Sequence, residues 1–359
     1  MKGRQVILGH LWGREAAALM VDGRIEDLLL DLTALTPLPP GAICRAVVDR
    51  LVKGQGGVFL RLPEGERGFL REARGLSEGA SLIVQVSGVA EDGKAIPVTQ
   101  RVLFRGQTGI ATPGAPGVNV SRRIRDEGSR ERLIALGTEA LATAGAPDDL
   151  GLVIRTAAEH DEDGLVRDEL ISLAEMAVQV MGDRAGRPEL LVDAEMPWRA
   201  AWIDWADPAP DDIDETPGAF DSHGVTDAVE ALLDPEFALP DGGFAVIEPT
   251  RAMVAVDVNT GRDTSAAAAL KANITLARDL PRQLRLRGLG GQVVVDFAPI
   301  PKRDRGTLDQ ALRAAFRADG TETTLVGWTA MGLYELSRKR DRAPLGAIAR
   351  LAASLEEDA

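Results

Sequence analysis

Two apolar segments, each carrying an aspartate near its end, constrain the fold of this chain more than any other feature. The first segment covers 253–258 and contains Asp257, and the second covers 292–297 and contains Asp296. Between them, residues 265–287 place apolar side chains at helical spacing. A strand, a crossover helix and a second strand pack as a right-handed unit with parallel strands. The sequence therefore predicts a sheet with helices in which both carboxylates lie at the same edge.

Short β segments dominate the N-terminal third. Two strands are predicted around 5–8 and 17–30, and the proline-rich run 36–41 forms a stiff connector after them. Five further short strands follow, at 42–52, 57–62, 67–70, 81–89 and 95–103. Such a series is typical of a small barrel of the oligonucleotide-binding type, and a barrel without any ligand also fits the pattern.

The rest of the chain alternates between helical and extended patterns. Four glycines and two prolines in 105–120 predict a loop or a segment of close approach, and Pro281 predicts a break in the helix at 265–287. The remaining predicted helices are 130–144, 167–182, 307–318 and a final one from Gly332 onward, with strands at 150–154, 189–192 and 323–328. Acidic residues and prolines crowd 204–217, which predicts a solvated loop rather than a metal cage.

Composition narrows the class of protein. With 359 residues, 45% hydrophobic and 27% charged, the chain is expected to be globular, with two or three domains. No apolar run reaches the roughly 18 residues of a membrane span, and the N-terminus makes a poor signal peptide. The single Cys44 excludes a disulfide framework within one chain and fits a cytoplasmic location. A formal charge of −14 argues against nucleic-acid binding by bulk electrostatics alone.

The two aspartates have a chemical interpretation. A carboxylate after an apolar strand is costly near a core unless it is paired or ligates a cation. Asp257 and Asp296, with Asn259 nearby, would form a hard, oxygen-rich site that suits Mg²⁺, an ion that activates water and stabilises phosphoryl charge. The alternative is that one aspartate caps a helix and the other pairs with an arginine.

Positive charge gathers in two segments of this otherwise acidic chain. Residues 278–305 hold several arginines, and 338–342 read Arg-Lys-Arg-Asp-Arg. This pattern indicates a path for a polyanion beside the metal site, although a solvated helix face accounts for some of these residues.

Several of these segments resemble the ribonuclease E/G family. The motifs are Ala255-Val256-Asp257-Val258-Asn259-Thr260-Gly261-Arg262, and Arg282-Gln283-Leu284-Arg285-Leu286-Arg287-Gly288-Leu289-Gly290-Gly291 followed by Val293-Val294-Val295-Asp296-Phe297. Residues 331–340 resemble the family's last catalytic helix, and 121–124 and 153–157 also match. The resemblance is strong in 240–345, good in 105–157, moderate in 41–104 and weak in 158–220.

The resemblance implies an α/β (α+β) multidomain fold. An RNase H-like subdomain, trimmed here to 1–36 and 195–240, would be interrupted by an S1 RNA-binding barrel at 37–104 and a 5′-sensor region at 105–194. A DNase I-like catalytic subdomain would occupy 241–359. These boundaries are expectations that follow from the resemblance.

The resemblance also implies an activity. Members of the family cut single-stranded RNA internally with Mg²⁺, by metal-activated water that leaves a 5′-phosphate and a 3′-hydroxyl, in rRNA maturation or mRNA decay. Carried over residue by residue, Asp257 and Asp296 would hold the metal. Asn259 would support it or orient the water.

Further binding residues are implied by the same matches. Arg155 and Thr156, with backbone near Gly106 and Ile110, would hold the 5′-phosphate, since a guanidinium presents paired donors to phosphate oxygens. In the barrel, Phe59 and Phe69 match base-contacting aromatics and Lys94 a basic contact, with a core position as the alternative for either phenylalanine. In the arginine-rich segments, the residues expected to hold the RNA backbone are Arg285 and Arg287.

The sequence departs from the family pattern at several points. The Cys-Pro-x-Cys zinc link and the small dimerisation domain are not found, so we expect no zinc-linked dimer and a monomer or weak homo-oligomer. Ala298 replaces a common second acidic residue, and Ala330 replaces a basic one. Two other functions stay open: a catalytically silent S1-type RNA-binding protein, and a metal-dependent phosphoesterase acting on DNA or small molecules.

Overall fold

The computed structural model describes residues 3–52, 56–71, 75–91 and 93–357. The strands within these ranges form four sheets. They are β1 (Arg4–Leu11), β2 (Arg14–Val21), β3 (Arg24–Leu30), β4 (Ile43–Leu51), β5 (Val58–Arg61), β6 (Arg67–Leu70), β7 (Ser81–Val86), β8 (Ile96–Thr99), β9 (Phe104–Arg105), β10 (Gly109–Pro113), β11 (Gly117–Val120), β12 (Leu150–Ile154), β13 (Glu189–Val192), β14 (Asp212–Asp214), β15 (Glu236–Ala238), β16 (Phe244–Pro249), β17 (Val254–Asn259), β18 (Gly291–Asp296), β19 (Thr323–Trp328) and β20 (Tyr334–Arg338). The α-helices are α1 (Glu127–Thr143), α2 (Asp163–Gly182), α3 (Pro197–Asp204), α4 (Ala219–Ser222), α5 (Val225–Leu233), α6 (Ala266–Leu286), α7 (Arg305–Ala318) and α8 (Leu345–Glu357).

The first sheet has the order β14-β1-β2-β3. Strands β1, β2 and β3 form an antiparallel meander, and β14 pairs in parallel with β1. The single strand predicted at 17–30 is wrong, because a two-residue turn divides it. Asp22 and Gly23 both adopt positive φ angles, of 51° and 77°. An Asp-Gly pair suits the left-handed turn that a tight hairpin requires, so this dipeptide was a readable signal.

The second sheet is a closed barrel. Strands β4, β5, β6, β8 and β7 pair in that order, and pairing between β4 and β7 closes the ring. Its interior is filled by aliphatic side chains that include Val48, Leu60 and Val84. β13 adds to the outside of the ring by pairing with the first residues of β4. A closed five-stranded barrel is consistent with an S1-type or oligonucleotide-binding domain.

The third sheet has the order β11-β12-β10-β9 and packs against α1 and α2. Of the two alternatives for 105–120, the loop is wrong, since most of this segment lies in short strands, and the close approach is confirmed. Its glycines permit close packing rather than disorder: a Cβ added at Gly109 would lie 2.3 Å from the Leu170 side chain of α2. Glycine within a strand marks such a close approach.

The fourth sheet has the order β15-β16-β17-β18-β20-β19. One face is buried beneath α6 and α7, where Val256 and Val295 pack with Leu276 and Leu312. The opposite face is open to solvent, and exposure alternates along β17 as the two-residue strand period requires. The helix expected to break at Pro281 continues to Leu286. Burial of one helix face stabilises it across the proline.

The C-terminal segment differs from the sequence prediction. A helix from Gly332 onward is wrong, and so is the last catalytic helix expected at 331–340. Residues 334–338 form β20, in which Tyr334, Leu336 and Arg338 are buried and the two residues between them are exposed. This period of two favours a strand over a helix. The C-terminal helix is α8, and no described helix is long and apolar enough to cross a membrane.

Candidate active site

The parallel ladder between β17 and β18 places the two aspartates side by side. Asp257 is the direct register partner of Asp296, and Val256 in the preceding row is the partner of Val295. Neighbouring strands lie about 4.8 Å apart, so the two carboxylates project from adjacent positions of one face. Both side chains are exposed on the open face of the sheet. The predicted meeting of these residues is therefore present in the fold.

The last residue of β17 places an amide beside Asp257. Asn259 lies two residues beyond Asp257 on the same face, and its Nδ2 donates a hydrogen bond of 2.9 Å to the Asp257 Oδ2. Gly261 follows with a φ of 72°, and a Cβ there would lie 2.3 Å from the Gly242 carbonyl oxygen. Only glycine fits both this close approach and this positive φ.

A buried amide fixes the segment after Asp296. Asn273 on α6 is fully buried, and its Nδ2 donates to the Ala298 carbonyl oxygen at 2.8 Å. Its Oδ1 accepts the Ala298 N–H at 3.0 Å. Asn273 is not among the site residues predicted from the sequence. A polar residue on the apolar face of a helix, among Ala269, Ala272 and Leu276, is the signal that identifies it.

The two carboxylates fit a Mg²⁺ that is also bound by substrate and water, rather than one enclosed by protein side chains. Among the described residues, no three His, Cys, Asp or Glu side chains converge as a metal cage. The alternative interpretation requires that one aspartate caps a helix and the other pairs with an arginine. In the described contacts, neither Asp257 nor Asp296 does so. Mg²⁺ is commonly bound through one or two carboxylates together with substrate phosphates and waters. Two adjacent exposed carboxylates supply that arrangement.

The structure places Arg285 and Arg287 away from the aspartates. Both lie at the C-terminal end of α6, whereas the N-terminal end of this helix follows the strand that carries Asp257. A helix of 21 residues is roughly 30 Å long, so the two arginines lie far from the aspartates. Arg285 donates to the Glu26 carbonyl oxygen at 2.8 Å and pairs with Asp319. Arg287 is buried, donates to the Asp234 carbonyl oxygen at 3.0 Å, and burial lowers its pKa to about 10. These contacts do not favour the predicted RNA-binding role of either residue.

The residues predicted to hold a 5′-phosphate do come together. Arg155 and Thr156 follow β12 directly, and Arg155 Nη1 donates to the carbonyl oxygens of Gly106 (2.7 Å) and Ile203 (2.6 Å). In the contacts described for this side chain, Nε and Nη2 make no hydrogen bond, so this edge can face a ligand. Burial lowers the pKa of the Arg155 guanidinium, and the nearby Arg105 lowers it further.

The residue after Arg155 brings two hydroxyls together, and the strand β10 lies beside β12. The Thr156 Oγ1 lies 3.0 Å from the Ser121 Oγ. Ile110 lies in β10, opposite Val153 of β12 and opposite Arg105 of β9. Phosphate oxygens accept hydrogen bonds from groups of these kinds: a guanidinium, hydroxyls and backbone amides.

The acidic segment approaches the same place. Asp204 pairs with Arg105, and Asp207 pairs with Arg123 at 2.8 Å. The loop predicted at 204–217 also contributes β14 to the first sheet, so it is not a uniformly solvated loop. Sequence reasoning missed Arg105 and Arg123 because their acidic partners lie about a hundred residues away.

In the barrel, Phe59 and Phe69 lie opposite one another on β5 and β6. Their ring centroids are 5.3 Å apart, and the Arg50 guanidinium lies 4.6 Å from the Phe59 centroid. Both rings are half-buried and lie outside the barrel core cluster, so the core alternative is not what the structure shows. Aromatic rings beside an arginine form a surface on which bases can stack.

Lys94 lies in the loop between β7 and β8, away from these rings in sequence. Its ammonium is exposed and pairs with Glu91. Glu91 also pairs with Arg340 at 2.7 Å, in the segment after β20. A Cβ added at Gly88 would lie 2.2 Å from the Arg340 carbonyl oxygen. The barrel therefore contacts the fourth sheet closely at this loop.

Comparisons with known proteins find relatives of this chain among ribonucleases E and G. Ribonuclease E of Nostoc sp. is 28% identical over 392 residues, which is 94% of this chain and 56% of that protein. Ribonuclease G of Escherichia coli is 28% identical over 401 residues, 94% of this chain and 80% of that protein. Ribonuclease E of Haemophilus influenzae is 29% identical and matches 76% of this chain, but only 32% of its own length.

The family model adds the segments that bear the site. The model of the ribonuclease E/G family matches residues 104–213 and 206–341, which include the Arg155 region and both aspartates. With most of the chain matched and the two carboxylates adjacent in the fold, this protein belongs to the ribonuclease E/G family.

Proposed function

We propose that this protein is a Mg²⁺-dependent endoribonuclease that cleaves single-stranded RNA. The observation that carries the proposal is the direct register between Asp257 and Asp296 on an open sheet face. Both family and relatives are named for ribonuclease activity, which supports RNA as the substrate.

The chain's own residues have distinct parts in this mechanism. Asp257 and Asp296 would hold the ion, with Asn259 fixing one Asp257 oxygen through its hydrogen bond. When bound, Mg²⁺ would lower the pKa of a water and neutralise charge on the scissile phosphate. Asn273 holds the backbone after Asp296, so that carboxylate stays in register. Attack of water at phosphorus would leave a 5′-phosphate and a 3′-hydroxyl.

The RNA would be held at two further places. Phe59 and Phe69, with Arg50, would stack on bases, and such stacking is worth about 1–3 kcal/mol per base. Arg155 and Thr156 would bind a 5′-monophosphate, supported by the free edge of the guanidinium and the adjacent Ser121 hydroxyl.

The remaining finer proposals follow the family. The first sheet, with the helices that pack on it, would correspond to an RNase H-like subdomain, and the fourth sheet with α6 and α7 to a DNase I-like catalytic subdomain. We place the activity in rRNA processing or mRNA decay in the cytoplasm, which the single buried Cys44 supports.

The test is cleavage of a fluorogenic single-stranded RNA with Mg²⁺, with EDTA, and with DNA as competitor. We expect Asp257→Asn to lower kcat/KM roughly 100-fold or more, beyond the loss that a supporting residue usually causes. Asp148→Asn is the matched control, because Asp148 is exposed in a turn remote in sequence from both aspartates.

Two outcomes would contradict the proposal. Equal rates for the wild type and Asp257→Asn, with RNA binding retained, would favour a silent RNA-binding protein. Cleavage of the competing DNA at a rate similar to that of the RNA would favour a broader phosphoesterase.

A further inference from the structure

One acidic side chain from α2 holds the loop that carries Gly106. Glu169 is half-buried, and its Oε1 accepts the Gln107 N–H at 2.8 Å. Its Oε2 accepts the Thr108 N–H at 2.7 Å and also the Thr108 hydroxyl. Hydrogen bonds to an ionised acceptor are roughly twice as strong as neutral ones. Glu169 therefore fixes the turn between β9 and β10 against α2.

The same turn holds Arg155 at two points. The Gly106 carbonyl oxygen accepts Arg155 Nη1, and the Thr108 carbonyl oxygen accepts the Arg155 backbone N–H at 2.8 Å. Gly106 directly precedes Gln107, whose N–H Glu169 binds, and Thr108 donates its own N–H to Glu169. A shift of this turn would move the Arg155 backbone and its guanidinium together.

The fit between the turn and the carboxylate is tight. A Cβ added at Gly106 would lie 2.6 Å from the Glu169 Oε1. Glu169 also occupies a helix face that is otherwise apolar, with Val166, Leu170 and Leu173 buried beside it. An acidic residue at such a position is costly unless its hydrogen bonds are satisfied, and the turn amides satisfy them.

We infer that Glu169 is a positioning residue for the 5′-phosphate site. This inference rests on the proposed function and deepens it. Glu169 does not bind the phosphate, since like charges repel. It acts through the turn, which orients the Arg155 guanidinium so that its unbonded edge faces the ligand.

The experiment compares cleavage of one short RNA that carries either a 5′-monophosphate or a 5′-hydroxyl. We expect Glu169→Gln to lower the ratio of the two kcat/KM values about tenfold, since one charge-assisted acceptor is lost. The loss should fall on KM for the 5′-monophosphate RNA, whereas cleavage of the 5′-hydroxyl RNA stays near the wild-type rate. Glu175→Gln, at an exposed position of the same helix, is the matched control.

A second variant guards against misfolding. Thr108→Val removes only the hydroxyl contact with Glu169 and should lower the ratio in the same direction, by a smaller factor. If the wild type prefers the 5′-monophosphate and both folded variants keep that preference, the inference is overturned alone. If the wild type cleaves both RNAs equally, the 5′-phosphate site itself is overturned and the inference with it.

Discussion

Asn273 illustrates how a single buried side chain can fix the geometry of a surface site. Its amide satisfies the N–H and the carbonyl of Ala298, two residues after Asp296. The bonded pair lies beneath the sheet, whereas the carboxylate it steadies lies on the open face. The position of Asp296 therefore depends on a residue with no contact to solvent.

Replacing this residue should cost both stability and activity. Asn273→Ala leaves two buried backbone groups without partners, and each costs about 1–3 kcal/mol. We expect a lower urea midpoint together with a lower kcat/KM on single-stranded RNA. Asn119→Ala is the control, because Asn119 is exposed on β11. An unchanged unfolding midpoint for Asn273→Ala would contradict this account.

At the scale of elements, the sequence predicted the regular pattern and missed the exceptions. The β17–α6–β18 unit was readable, since alternating and helical apolar periods are local properties. The strands in 105–120 were not, because glycines indicate either a loop or a close approach, and only the packing of Gly109 against Leu170 of α2 decides between the two. Closeness of Arg155 to Asp204 is likewise a product of tertiary packing, which no local pattern encodes.

At the end of α3, the Asp204 carboxylate should compete with a bound phosphate for the positive charge of Arg105 and Arg155. Asp204 pairs with Arg105 and, by its charge, also raises the pKa of Arg155 against the lowering by burial. Since partly exposed pairs of this kind contribute up to about 1 kcal/mol, we expect Asp204→Asn to lower KM for 5′-monophosphorylated RNA by up to about fivefold. Glu215→Gln, exposed in the same segment, should leave KM unchanged. A higher KM for Asp204→Asn would contradict the competition.

At the scale of the whole molecule, the barrel and the fourth sheet meet at a tight contact between Gly88 and Arg340. Gly88 approaches the Arg340 carbonyl oxygen so closely that a Cβ would lie 2.2 Å from it, and the Glu91–Arg340 ion pair closes the same junction. The α6 arginines join this sheet to the first one, with Arg282 donating to the Ile25 carbonyl oxygen at 2.7 Å. These contacts connect the fourth sheet to the barrel and to the first sheet.

Widening the contact between Gly88 and Arg340 should weaken RNA cleavage. Gly88→Ala forces the barrel away from Arg340, and a displacement of about 1 Å at a distance from the chemistry can cost up to 10²-fold in rate. We expect kcat/KM on single-stranded RNA to fall about tenfold, with near-normal thermal stability of the protein. Gly320→Ala is the control, since a Cβ there meets open space. Unaltered cleavage by Gly88→Ala would show that the junction is not needed for catalysis.

The open face of the fourth sheet decides how a polymer can reach Asp257 and Asp296. A tunnel admits only a free end and must be threaded, so it favours removal of terminal nucleotides one after another. An open face lets a long strand lie across it sideways at any point along its length. Cutting in the interior of a transcript is the outcome that such a shape permits.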